Sequence, residues 1–102
     1  MNEYTSEDAW FLLAAKYAQG KKDFASKKNI VEAGDYINHA IFLESEIDHA
    51  ITVLSNAGLL QVNGDNFSIG PSFAKLWEKS DAEKHRSVQK QLEKLKHAMG
   101  IA

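Results

Sequence analysis

Hydrophobic residues in this chain recur mostly at spacings of three and four, with one short stretch where the spacing drops to two. The first periodic segment follows Thr5-Ser6-Glu7-Asp8, where Thr5 or Ser6 can cap the free N–H groups and the acids suit the positive end of a helix dipole. Trp10, Leu13, Ala14 and Tyr17 then line one face, Phe11 and Leu12 widen it, and Gly20 is the expected stop. Lys21 to Lys28 holds four lysines around Phe24 and reads as a loop or a short edge strand. A second helix is expected to open at Ser26 and run through Ile30, Gly34, Ile37 and Ile41. Gly34 inside it costs about 1 kcal/mol relative to alanine, which a closely approaching neighbour helix would justify.

A break near Phe42-Leu43 precedes a third helix carrying Ile47, Ala50, Ile51 and Leu54 and ending at Gly58. The period-two stretch comes next. Leu59 to Val62 and Phe67 to Ile69 flank Asn63-Gly64-Asp65-Asn66, a hairpin signal. A turn on Gly64-Asp65 matches Val62 with Phe67 and Leu60 with Ile69, keeping the apolar residues on one face. Pro71 ends the strand and starts a short helix through Phe73, Leu76 and Trp77. A last helix is expected from Asp81 to Met99. Val88, Leu92, Leu95 and Met99 form its narrow apolar stripe, of the kind that makes a helix-helix seam.

Three helices, a helix-ending glycine, a two-stranded hairpin and a trailing helix resemble the winged helix-turn-helix superfamily. The string Asp35-Tyr36-Ile37-Asn38-His39-Ala40-Ile41-Phe42 and the continuation Gly58-Leu59-Leu60 are similar to stretches in small bacterial members of it, a group that brings a fold and no assigned function. The resemblance covers residues 5–75. It implies a mainly α fold: a three-helix helix-turn-helix core with a β-hairpin wing over residues 1–80, and a C-terminal amphipathic helix over 81–102. Relatives carry Thr or Ser at the position of Leu43, so Ser45 is the expected cap of the third helix here.

Charge turns this architecture away from its commonest use. Between Asn29 and Ala74 there is no lysine or arginine, while Glu32, Asp35, Glu44, Glu46, Asp48 and Asp65 give the segment six negative charges. DNA affinity comes mostly from Lys and Arg on phosphates, and the third helix is the element that would enter the major groove. Its outward stripe, Ser45, Asp48, His49, Thr52, Ser55 and Asn56, can hydrogen-bond to base edges but holds no cation. A solvated face is the simpler reading. If nucleic acid binds, the cations must come from Lys21, Lys22, Lys27 and Lys28 or the last helix, with Ser45, His49 and Thr52 as base-facing groups.

Other chemistry is sparse. The net charge of −2 exerts no pull on nucleic acid or anionic membranes, and the absence of cysteine removes disulfides, thiolate metal sites and thiol nucleophiles. Asp35 and His39 stand at i and i+4, the spacing of a carboxylate-oriented base, but His39 also fits a helix C-terminus, and no nucleophile accompanies the pair. The four histidines make no metal signature, and no catalytic, cofactor or metal residues are assigned. With an acidic N-terminus and no long apolar run, a cytoplasmic protein is expected. The expectation is therefore a non-enzymatic regulatory or protein-binding module without cofactor. It self-associates as a homodimer through Val88, Leu92, Leu95 and Met99. A dimeric DNA-binding transcriptional regulator is the alternative.

Overall fold

The computed structural model describes residues 4–101. Helix α1 (Ser6–Gln19) starts at Thr5, whose Oγ1 accepts the Asp8 N–H (3.2 Å) while Asp8 Oδ2 accepts the Thr5 N–H (2.8 Å). This reciprocal cap satisfies two of the orphan donors of the first turn. All eight residues from Asp8 to Ala15 are buried, so α1 is enclosed on every side rather than amphipathic. Such a helix is the centre of a core and not one of its walls. It ends where expected, with Gly20 at φ 55° donating to the Lys16 carbonyl.

The lysine-rich stretch divides: Lys21 and Lys22 lie in a turn and loop, Ala25–Ser26 form the short edge strand β1, and Lys27 and Lys28 already belong to the next helix. Ser26 caps α2 (Lys27–Asn38) in reciprocal bonds with Asn29. Helix α2 stops three residues short of Ile41. His39 turns left-handed (φ 53°) and its N–H meets the Asp35 carbonyl at 2.7 Å, so it serves as the C-terminal cap, not as a base beside Asp35. Ile41, expected on the buried stripe of α2, lies instead on the connector to α3 (Glu44–Asn56).

The close approach at Gly34 is real, but its agent is Phe42 of that connector and not a neighbouring helix. A methyl group on Gly34 would overlap the Phe42 ring. Phe42 stacks on Trp10 with centroids 3.7 Å apart and meets Phe11 edge-on. Trp10 Nε1 donates to the Gly34 carbonyl (2.9 Å), so one inward ring and one glycine lock α1, α2 and the connector together.

After Gly58 (φ 75°), β2 (Leu60–Asn63) and β3 (Asn66–Ile69) pair in the expected register, Val62 with Phe67 and Leu60 with Ile69. Phe67 also pairs with Ala25, giving a three-stranded antiparallel sheet in the order β1-β3-β2. Helix α4 (Phe73–Ser80) begins two residues beyond Pro71, which sits in the preceding turn. Helix α5 (Val88–Ala98) does not reach back to Asp81. Asp81 is left-handed (φ 58°), Ala82–Lys84 form a 3-10 turn, and Ser87 caps the helix proper. His85 therefore lies outside any α-helix.

The expected self-association seam is filled from within. Leu95 is fully buried, Leu92 and Met99 are buried, and Val88 packs against the same core. Helix α5 lies on α1, α4 and α2, and polar bonds fix its start. Gln89 Nε2 donates to the Ile37 carbonyl (2.9 Å), Gln91 Nε2 donates to the His85 carbonyl (2.7 Å), and Tyr17 donates to Gln91 Oε1. The stripe of Val88, Leu92, Leu95 and Met99, expected to meet a second subunit, is thus covered within a single chain. The wide surface of α1 takes up both α2 and α5, which leaves only Val88 of the stripe partly exposed. The chain is thus mainly α with one small sheet, and its C-terminal helix belongs to the core shared by residues before 80. Among the described residues, no helix is long and apolar enough to cross a membrane.

Candidate functional site

The surface with the most unusual chemistry runs from the α2–α3 connector along α3. Leu43, in extended conformation, holds the N-cap position without a capping side chain. Its N–H donates instead to Glu46 Oε1 (2.8 Å), and its carbonyl accepts the Ile47 N–H. Ser45 is therefore not the cap. It lies exposed within the first turn, and the cap function passes to a carboxylate that also suits the helix dipole.

On this connector Phe42 is 5% exposed while its neighbours Ile41 and Leu43 are 73% and 64% exposed. Alternation in an extended segment sends one residue inward and its two neighbours outward. The sequence did carry this signal: Asn38-His39 is a plausible helix terminus, and once the helix ends there Ile41-Phe42-Leu43 must alternate. A period-four reading carried on to Ile41 hides it.

Half of the outward stripe of α3 is engaged in internal bonds. Thr52 Oγ1 donates to the Asp48 carbonyl (3.0 Å) and Ser55 Oγ to the Thr52 carbonyl (3.2 Å), folding both hydroxyls back on their own helix. His49 is tied elsewhere. Its Nδ1 lies 2.9 Å from Oδ1 of Asp8, which is fully buried, while the His49 side chain stays 48% exposed. The pair joins the first turn of α1 to the middle of α3 across 41 residues of sequence. Sequence pattern marks Asp8 as a helix-start acid; only the packing of α3 on α1 reveals its partner.

The lysine islands separate. Lys27 Nζ bonds both carboxylate oxygens of Glu44 (3.0 and 3.1 Å), so its charge reaches the start of α3 already neutralised. Lys28 is exposed on the first turn of α2. Lys21 and Lys22 are exposed beyond the C-terminus of α1, where Gln19 Oε1 accepts the Ile69 N–H (2.7 Å), at the end of the hairpin away from its turn. The hairpin tip brings Asp65 and no cation.

A separate cleft of about 580 Å³ lies along α4, lined by Phe73, Ala74, Trp77 and the charged residues Glu78, Asp81, Glu83 and Lys84. Its carboxylates belong to exposed side chains, and Lys84 Nζ stands 3.4 Å from Asp81 Oδ1. Among the described residues no three His, Cys, Asp or Glu side chains stand where they could hold a metal ion. The sequence matches no family model, no curated protein and no solved structure.

Proposed function

We propose that this chain is a non-enzymatic, winged-helix-type module that binds protein rather than DNA through its third helix. The element order supports the winged-helix reading: β1 between α1 and α2 closes onto β3, tying the hairpin to the helical core. The observation that carries the functional reading is the charge on α3 and its approaches. Glu44, Glu46 and Asp48 lie there, and the cation that reaches them, Lys27, is held by Glu44. Phosphates brought to this face meet carboxylates, and the counterion release that drives non-specific DNA binding is lost.

The alternative, a dimeric DNA-binding regulator, draws support from the same ion pair, because it brings Lys27 to the start of α3, with Lys28 exposed beside it in sequence. Titration of duplex DNA at low and physiological salt separates the two. The expected result is no binding tighter than about 10 μM at physiological salt, far weaker than specific DNA binders. Sub-micromolar binding lost on Lys27→Ala with Lys28→Ala, with a log-log salt slope of about −0.9 per phosphate, establishes the alternative. Tight binding that survives those changes but is lost on Thr52→Ala shows that α3 reads DNA despite its charge.

A further inference from the structure

We infer that Ile41 and Leu43 are the anchors of a docking surface for a lysine- or arginine-rich amphipathic helix of another protein. The inference rests on the protein-binding reading above and names the partner's chemistry. Two large aliphatic side chains at 73% and 64% exposure contribute nothing to the core. Their backbone is anchored on both sides. Phe42 between them is clamped by Trp10, Phe11 and Gly34, the Leu43 N–H is bonded to Glu46, and Glu44 is bonded to Lys27. A pre-organised apolar pair loses little conformational freedom on binding, which is the property of an interface anchor.

The form of the pair suggests its counterpart. Residues i and i+2 of an extended segment project about 7 Å apart on one side, close to the roughly 6 Å between i and i+4 on a helix. An apolar helical stripe can therefore receive both. The neighbouring residues set the sign of its flanks: Asp35 precedes the pair and Glu46 and Asp48 follow it, all with carboxylates that no lysine or arginine among the described residues meets in an ion pair, whereas Glu44 is balanced by Lys27. Anionic lipid and nucleic acid are repelled by this field, whereas a basic polypeptide is drawn to it. A second copy is a poor occupant. Its own basic amphipathic helix, α5, has Leu92, Leu95 and Met99 committed to its interior.

The test uses the full chain and a synthetic helix-forming peptide of about 16 residues, with leucine at i, i+3, i+4 and i+7 and lysine on the flanks. A twin peptide carries glutamate in place of lysine. The lysine peptide is expected to bind, shifting the amide resonances of residues 41–48, while the twin does not. Binding is expected to weaken about ten-fold in the Ile41→Ser, Leu43→Ser double variant, as for loss of central anchors. Raising salt from about 0.05 M to about 0.5 M is expected to weaken it about five-fold. Because both residues are exposed, an unchanged urea midpoint shows that the variant folds. Asp48→Lys gives an independent handle: it should weaken the lysine peptide and improve the twin.

The assignment is overturned by failure of the lysine peptide to bind, by equal binding of the twin, or by unchanged binding in the double variant. Resonance shifts centred on the α4 cleft also overturn it. So does self-association in sedimentation that the double variant abolishes, which would make a second copy the occupant. These outcomes sink the partner assignment alone, while the protein-binding reading stands or falls on the DNA titration.

Discussion

Helix α5 and the α2–α3 connector distribute their apolar side chains in opposite ways. Helix α5 repeats them every three or four residues, and the whole stripe of Leu92, Leu95 and Met99 fits against α1 and α4. On the connector, which is extended at Leu43, exposure alternates: Phe42 is committed to the interior while Ile41 and Leu43 stay outside. The difference lies in what each period can match. A helical stripe finds a continuous groove on a neighbouring helix, whereas a two-residue period needs a sheet on both sides to bury every side chain, and here it has a wall on only one. Apolar character alone decides neither outcome.

The comparison is broken most directly by substituting one residue in each region. Leu95→Ala should destabilise the chain by about 2–5 kcal/mol, the range for a fully buried leucine, whereas Leu43→Ala should stay within about 0.5 kcal/mol. Urea unfolding of the two variants is the measurement. Equal effects would show that α5 is not part of the core. The Leu92→Lys, Leu95→Lys double variant should then unfold, because two ammonium groups cannot enter that interior.

A second change sharpens the account of Phe42. Gly34→Ala gains about 1 kcal/mol of helix propensity, yet its methyl group collides with the Phe42 ring, and overpacking costs about 1–3 kcal/mol. We expect net destabilisation. In a double-mutant cycle with Phe42→Leu the coupling should be favourable, since the smaller side chain can yield. Additive effects would mean that the ring does not seat against Gly34.

The smallest expected effect tests what His49 does on the half-exposed face of α3. His49→Ala removes a hydrogen-bond partner of the buried Asp8 and should cost about 1–2 kcal/mol, reduced from the fully buried case because the imidazole is half in water. Asp8→Asn should recover much of the loss in the His49→Ala background, since it removes the uncompensated charge. Stability of the four chains by urea midpoint gives the answer. If His49→Ala alone is neutral, the pair is incidental and His49 is a free member of the α3 face.

Much of the scaffold is legible in the sequence. A cap at Thr5 or Ser6, a helix opening at Ser26, Gly20 and Gly58 as stops, and the Val62–Phe67 register all rest on interactions between near neighbours in sequence. The misread boundaries share a cause. His39 and Asp81 adopt left-handed backbone without being glycine, so the local signal for ending a helix was weak at both places. The helix expected to include Ile41 and the one expected to start at Asp81 both failed there.

The candidate surface divides along the same line. Its acidity belongs to the sequence, because the absence of lysine and arginine between Asn29 and Ala74 needs no fold to be seen. Which apolar residues remain outside, which cation reaches Glu44 and which carboxylate holds His49 were decided by the tertiary structure. Each depends on groups 17 to 41 residues apart, or on competition among several apolar stripes for the surface of α1. Local periodicity names the candidates for burial, and the limited area of one central helix selects among them.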